Sequence, residues 1–190
     1  MNKIIWPLLL CAVLCGCGGG ETGNAVQEQY RTLETARLEA EVTSHTSTDS
    51  RTFTLLCSYD ADGDTVTTVT APGELAGLTA VVSGTDMTLS SEGLQLPAGA
   101  SLDICPANCL PYLLRALADG YVLEQSSEAL DNTPCLRLAL DTTAPGGGKV
   151  LCAVWLDAEG LFPRYAEFSR NEQVVLTVKL LAFTCTTSEG

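Results

Sequence analysis

One segment decides the fold class: Leu110-Pro111-Tyr112-Leu113-Leu114-Arg115-Ala116-Leu117. Its four leucines recur at the period of one face of an α-helix. Pro111 suits the first turn of that helix, and Gly120 suits the position just after its last turn. Segments with the period of β-strands lie on both sides, so the sequence predicts a helix set between two runs of strands.

Alternating apolar and polar residues predict strands on the N-terminal side of this helix. The first two predicted strands each place their apolar side chains on one face, and Asp62-Gly63 predicts a hairpin turn into the third. Shorter strands follow at close spacing, which is typical of an antiparallel meander. The predicted strands of this half are residues 36–43, 52–59, 64–70, 78–83, 87–89 and 94–96.

The C-terminal side also predicts strands, at residues 122–126, 135–141, 150–157, 164–169 and 174–185. Residues 150–156 and 174–183 are apolar on both faces, which predicts strands that are central in the sheet or covered on both faces by other parts of the protein. Near the N-terminus, Asn24 can cap a short helix with Val26, Tyr30 and Leu33 on one face. The whole pattern predicts an antiparallel α+β or barrel-like domain.

Composition restricts the class of protein. The chain has 190 residues, which suits one domain, and its 46% hydrophobic and 17% charged residues support a packed core. Ten Lys and Arg stand against 23 Asp and Glu, so the net charge is −13, which argues against a nucleic-acid partner. Nine cysteines are many for a reducing compartment, and a single histidine restricts His-based chemistry.

The N-terminus predicts export and lipid attachment. Lys3 and the apolar residues 4–14 fit a secretory signal, and they are shorter than the roughly 20 residues of a membrane-spanning helix. Leu14-Cys15-Gly16-Cys17 resembles the bacterial lipobox, which implies cleavage after Gly16 and lipid on the Cys17 thiol. An ordinary signal peptide with an incidental cysteine is the alternative.

We therefore expect three segments: a signal peptide at residues 1–16, the lipidated cysteine with a Gly-rich tether at residues 17–23, and one domain at residues 24–190. The anchor would hold the domain at the cell membrane, facing outside the cytoplasm.

Three local signals add a resemblance to this pattern. They are Ala71-Pro72-Gly73 followed by Gly77-Leu78-Thr79-Ala80, the central helix at residues 110–117, and Trp155-Leu156-Asp157 with Phe162-Pro163. With the order of the elements, they resemble the LolA/LolB-like superfamily of lipoprotein carriers, which includes LolA-like lipoproteins that act in spore germination. The resemblance covers residues 24–185. It implies a curved antiparallel half-barrel of about 9–11 strands, with helices covering its open, concave side.

The resemblance implies a non-enzymatic function, in which an apolar cavity takes up the acyl chain of a lipid or lipoprotein. We expect the cavity to be lined by Leu38, Phe53, Leu55, Leu113 and Leu117. A dry, packed core produces the same sequence pattern, so that alternative stays open. The alternative function is a protein-interaction module that stabilises or localises an envelope or germination enzyme.

Residues with reactive side chains predict no catalytic site, metal site or cofactor. His45 is alone, and no Gly-x-Ser-x-Gly motif is present. The acidic residues 60–64 lack the spacing of a calcium loop and predict a turn.

Six cysteines follow Cys17, without the Cys-x-x-Cys spacing of a zinc or redox motif. Outside the membrane an even number favours disulfides, for which the sequence does not select the pairing, and buried free thiols are the alternative. These cysteines are Cys57, Cys105, Cys109, Cys135, Cys152 and Cys185.

Overall fold

A computed structural model describes residues 19–84, 86–100, 103–144 and 147–188. Within them lie two α-helices, α1 (Gly19–Arg31) and α2 (Cys109–Asp119), and a short 3-10 helix, Gly73–Leu75. The strands of the same residues are β1 (Leu33–His45), β2 (Ser50–Asp60), β3 (Thr65–Ala71), β4 (Thr79–Ser83), β5 (Asp86–Ser91), β6 (Leu94–Ala100), β7 (Tyr121–Leu130), β8 (Thr133–Thr143), β9 (Lys149–Asp157), β10 (Pro163–Arg170) and β11 (Gln173–Thr187).

All these strands belong to one antiparallel sheet, in the order β6-β5-β4-β3-β2-β1-β11-β10-β9-β8-β7. Strands β1–β6 and β7–β11 form two meanders, which join where β1 pairs with β11. The edges β6 and β7 do not pair, so the sheet is open, and the segment that carries α2 connects them. Large open sheets twist and curl, so this architecture is consistent with the predicted half-barrel.

The two helices pack on one face of the sheet, which we call the inner face. Helix α1 contacts α2 and β7, and α2 also contacts β2 and β8. The predicted leucine stripe of α2 is the centre of this packing, because its four members are at most 1% exposed. Inner-facing side chains of β1, β2 and β8–β11 complete one continuous hydrophobic core with the stripe.

Helix α1 differs from its prediction at the N-terminal end. It begins at Gly19 rather than after Asn24, so residues 19–23 of the predicted tether are helical. Val26 and Tyr30 are buried as expected, whereas Leu33 is buried at the start of β1. Long-range contacts hold the helix in place, because the Gln27 side chain donates to the Gly120 carbonyl at 2.6 Å. Such tertiary contacts are not visible to a local capping rule.

Each predicted strand is present with similar bounds. Strands β9 and β11 are interior strands, as their apolar sequences predict. The alternative explanation, that both faces of these strands are covered, does not apply, because Leu151 and Val174 are 39% exposed and Leu181 is 49% exposed. The helices cover the inner face alone, and these side chains remain accessible to solvent.

Candidate functional site

The five side chains predicted to line a cavity lie together in the structure. Leu38, Leu55, Leu113 and Leu117 are at most 1% exposed in the core, and the partly buried Phe53 packs against it. None of them lines either of two cavities that open on the surface. One of these, of about 440 Å³, lies at the β7–β8 hairpin beside Leu161. The lining role of the five remains a prediction.

The other cavity, which we call the side cavity, opens beside α2 and has a volume of about 400 Å³. This volume is within the range of ~300–1,000 Å³ that is typical of small-molecule sites. Helix α2, the start of β7, the end of β8 and the turn between β4 and β5 surround it. Its apolar wall includes Val82, Pro111, Tyr112, Ala116 and Tyr121.

A hydrogen-bonded pair fixes the wall where α2 meets β8. The Tyr112 hydroxyl lies 2.5 Å from the Thr142 hydroxyl, which donates in turn to the Val150 carbonyl at 3.1 Å. Burial raises the pKa of Tyr112, so its hydroxyl stays protonated at neutral pH. On its other side the Tyr112 ring packs edge-on against Phe168, with 5.8 Å between ring centroids. This part of the cavity wall is therefore held in place by contacts with the core.

Three charged side chains line the side cavity: Arg115, Asp119 and Asp141. The carboxylate of Asp119 lies 3.4 Å from Arg31 Nε, and that of Asp141 lies 3.7 Å from Lys149 Nζ. Arg115 is exposed, and within the described residues it forms no ion pair. The two acids thus have cationic neighbours, whereas the guanidinium is available to an anion.

An uncovered apolar surface continues from the core toward the β6 edge. The register places Leu96 opposite Leu89 and Leu89 opposite Ala80, all on the inner face. Leu94 lies on the same side of β6, and Leu94 and Leu96 are 72% and 67% exposed. We call the inner-facing apolar side chains of β4, β5 and β6 the open wing; those of β4, Ala80 and Val82, are buried, and exposure increases from β5 to β6. Val82 belongs both to this wing and to the side cavity, so the two surfaces are continuous.

The outer face carries a separate cluster of aromatic and charged side chains. Arg137, Trp155 and Tyr165 are neighbours on β8, β9 and β10. The Arg137 guanidinium lies 5.3 Å from the centroid of the Trp155 ring system, and the Trp155 and Tyr165 rings are 5.4 Å apart. Trp155 Nε1 donates to Glu128 at 3.0 Å. This outer cluster joins three strands on the side that the helices leave open.

The predicted disulfides do not appear: the six cysteines of the described chain are free thiols. The alternative of buried thiols describes Cys57, Cys109, Cys135 and Cys152, whereas Cys105 and Cys185 are partly exposed. The register explains why Cys135 and Cys152 form no disulfide, although they lie on neighbouring strands. Cys135 of β8 points to the outer face of the sheet and Cys152 of β9 points to the inner face.

Burial sets the chemistry of the thiols in the core. It raises the pKa of Cys57 to about 11, and it also raises the pKa values of Cys109 and Cys152. Thiols of this kind stay protonated and are poor nucleophiles at neutral pH.

The remaining reactive side chains lie apart. His45 is at the end of β1, where its ring contacts the Ser50 and Thr177 hydroxyls at 3.0 and 3.3 Å. The acidic residues 60–64 form the β2–β3 turn as predicted, in which the Asp62 amide donates to the Asp60 carboxylate at 3.0 Å. Across the described residues, no group of three or more His, Cys, Asp or Glu side chains is arranged to hold a metal ion.

Sequence reasoning missed the residues of the side cavity. Arg115 could have indicated the site, because it is the only charged residue of the helical segment 110–117. Asp141, Thr142 and Tyr121 come from two other strands, and only the crossing of α2 over the sheet brings them to the same place.

Solved structures share this architecture at low sequence identity. A DUF1329 family protein from Desulfovibrio piger aligns with 90% of this chain and 94% of its own, with a TM-score of 0.53 and 12% identity. An uncharacterized conserved protein from Thermus thermophilus aligns with 89% of this chain and 88% of its own, with a TM-score of 0.54 and 9% identity. A LolA superfamily protein from Nitrosomonas europaea aligns with 88% and 94%, with a TM-score of 0.49 and 10% identity. The chain shares the fold of the first two structures, and the similar structures include a LolA superfamily protein.

The open antiparallel sheet, with two helices on its inner face, confirms the antiparallel α+β architecture that the sequence predicts. No protein-family model matches the chain, and no curated protein matches it in sequence. At such low identities the likeness concerns the fold alone, so the ligand has to be argued from the site. None of the helices described is long and apolar enough to cross a membrane. The predicted signal peptide and Cys17 lie outside the described residues.

Proposed function

We propose that this protein is a non-enzymatic lipoprotein that binds an acyl chain, of a lipid or of another lipoprotein, on the inner face of its sheet. The observation that supports this function is the apolar inner face, which extends from the core under α2 to the exposed Leu94 and Leu96. Covering apolar surface releases roughly 25 cal/mol for each Å². A hydrocarbon chain needs no polar partner, so this surface suits it.

The side cavity is the proposed entrance to this surface. Its volume of about 400 Å³ and its contact with the open wing through Val82 would let a chain pass between α2 and the sheet. The predicted lining by Leu38, Phe53, Leu55, Leu113 and Leu117 requires α2 to lift from the sheet, because these side chains are packed together. Ligand uptake would therefore replace contacts of α2 with contacts to the chain.

We also propose that lipid on Cys17 anchors the domain at the cell membrane, facing outside the cytoplasm. Helix α1 begins at Gly19, two positions after Cys17 in the sequence, so little chain separates the anchor from the domain. The domain would then stay close to the bilayer, which is a source of acyl chains. A fixed receptor or lipid-binding protein fits this arrangement better than a carrier that diffuses freely.

Native mass spectrometry tests the acyl-chain function. The full-length Cys17→Ser chain, which cannot be lipidated at that position, would be purified without detergent and measured before and after incubation with lipid. We expect additional mass that dissociates as a fatty acid or phospholipid. An unchanged mass after incubation would contradict the function and favour the second candidate.

The second candidate is a protein-interaction module that stabilises or localises an envelope enzyme. The outer cluster supports it, because Trp, Tyr and Arg are enriched among the residues that carry binding energy at interfaces. A partner isolated with the wild-type chain but not with a Trp155→Ala, Tyr165→Ala double variant would support this role, provided that the variant keeps its melting temperature.

A further inference from the structure

The side cavity has a basic residue, Arg115, although the chain as a whole is strongly acidic. The protein has a net charge of −13, with 10 basic and 23 acidic residues. Arg115 is nevertheless the single basic residue among those that line the side cavity. It is also the only charged residue of the helical segment 110–117, which covers the core. The Arg115 side chain is exposed, so it adds nothing to the packing of the core.

The charged neighbours of Arg115 are engaged elsewhere. Asp119 lies one turn further along α2 and interacts with Arg31 of α1, and Asp141 of β8 interacts with Lys149 of β9. The Tyr59 hydroxyl of β2 also lies within the electrostatic reach of Arg115, although burial, the larger effect, raises the pKa of Tyr59. The guanidinium can therefore present its donors to a ligand without breaking an ion pair of the described chain.

The apolar surface beside this cation suits one hydrocarbon chain. The side cavity, at about 400 Å³, is near the lower end of the ~300–1,000 Å³ range for small-molecule sites. From it, Val82 leads onto the open wing, where Leu89 and Leu96 lie in register on neighbouring strands. A cationic group at one end of the site and an apolar track at the other match an anionic amphiphile with a single chain.

We propose that the ligand is a long-chain fatty acid, whose carboxylate is bound by Arg115 while its chain lies in the side cavity and on the open wing. This inference rests on the proposed function and names the ligand class. Guanidinium and carboxylate form paired, charge-assisted hydrogen bonds, so Arg115 would determine specificity for an acid over an uncharged lipid. The apolar wall would contribute the affinity that both kinds of ligand share.

The test compares a charged and an uncharged ligand of the same chain length. Palmitic acid and methyl palmitate would each displace a fluorescent fatty-acid probe from the full-length Cys17→Ser chain and from its Arg115→Gln and Arg115→Lys variants. The matched control is Arg37→Gln, which removes an exposed arginine from β1, a strand that does not line the side cavity. Melting temperatures would verify that each variant is folded.

We expect Arg115→Gln to weaken palmitic acid binding roughly fivefold, with methyl palmitate unchanged. Arg115→Lys keeps the charge but not the paired geometry, so it should restore only part of the affinity. Salt should weaken palmitic acid binding to the wild type and to Arg115→Lys but not to Arg115→Gln. Equal affinity of wild type and Arg115→Gln for palmitic acid would overturn the role of Arg115 while leaving acyl-chain binding intact. Preference for a two-chain phospholipid would overturn the single-chain assignment, and failure of every lipid to bind would overturn the proposed function itself.

Discussion

At the scale of the residue, Gly120 determines how closely α2 approaches the sheet. A Cβ atom at this position would lie 2.5 Å from the Ala116 carbonyl oxygen and 3.1 Å from side-chain carbons of Leu140 and Thr142. The Gly120 amide also donates to that carbonyl at 2.8 Å and so terminates the helix. Glycine is required here for its small size, since its φ of −63° is open to any residue.

Replacing Gly120 with Ala should therefore destabilise the protein. Overpacking of this kind costs roughly 1–3 kcal/mol, which chemical denaturation would measure. Gly73→Ala is the matched control, because no atom lies within 4 Å of its would-be Cβ. Equal stability of the two variants would show that α2 can shift freely at this point.

The buried thiol of Cys57 should make the fold sensitive to alkaline pH. Burial raises its pKa from 9.0 to about 11, so the unfolded chain loses this proton at a lower pH than the folded chain. The stabilisation is present below pH 9 and is lost as the pH rises toward 11, at a cost of roughly 2–3 kcal/mol. Denaturation curves between pH 8 and 10.5 should show a shallower loss for Cys57→Ala than for the wild type. Parallel pH profiles of the two proteins would contradict this account.

At the scale of the element, α2 combines three roles in eleven residues. Its leucine stripe closes the core, Tyr112 and Ala116 form a wall of the side cavity, and Arg115 adds the charge at its mouth. The helical period separates these roles by direction around one axis. A substitution on each face should therefore have a distinct effect.

Leu113 belongs to the face that serves stability. Its side chain is fully buried, so Leu113→Ala should leave a cavity and lower the free energy of unfolding by about 2–5 kcal/mol. Arg115→Gln, two residues further along the same helix, is the control and should remain within about 0.5 kcal/mol of the wild type. If Leu113→Ala proved as stable as that control, the helix would not be packed as described.

The β5–β6 hairpin should serve binding rather than stability. Leu96 is 67% exposed, so Leu96→Ser should change the free energy of unfolding by less than about 0.5 kcal/mol. The same change removes apolar surface from the open wing and should weaken fatty-acid affinity in the displacement assay. Leu181→Ser, on β11 and 49% exposed, is the control that should leave affinity unchanged. Identical affinities of the two variants would remove the wing from the binding surface.

At the scale of the whole molecule, the connection through α2 joins the two edges of the sheet. Strands β6 and β7 are neighbours in sequence but lie at opposite ends of the strand order. Because the chain has to return across the inner face, the helix becomes the cover of the core and the wall of the side cavity. The same topology leaves the outer face without a second layer.

The anchor is the prediction that concerns the whole molecule. Cys17→Ser should abolish the incorporation of labelled fatty acid into the protein, because the lipid is expected on the Cys17 thiol. Metabolic labelling of cells that express the wild type and the variant would measure it. Cys15→Ser is the control and should remain labelled, and labelling of Cys17→Ser equal to that of the wild type would contradict lipidation at Cys17.

The sequence determined the elements of this protein. Short-range periodicity identified each strand and the leucine stripe of α2, because alternation and the helical period are local properties that burial imposes on a chain. The start of α1 could not be predicted correctly, and the sequence could not decide whether β9 and β11 are central or covered on both faces, since both depend on contacts distant in sequence.

Only the tertiary structure decided the site. Arg115, Tyr121 and Thr142 lie on three elements, and no spacing in the sequence indicates that they surround one cavity. Whether Leu38 and Leu113 line a cavity or fill a core was equally undetermined, because both arrangements require the same apolar pattern. The structure shows them packed and places the accessible apolar surface on β5 and β6 instead, since α2 covers the centre of the sheet and leaves that edge exposed.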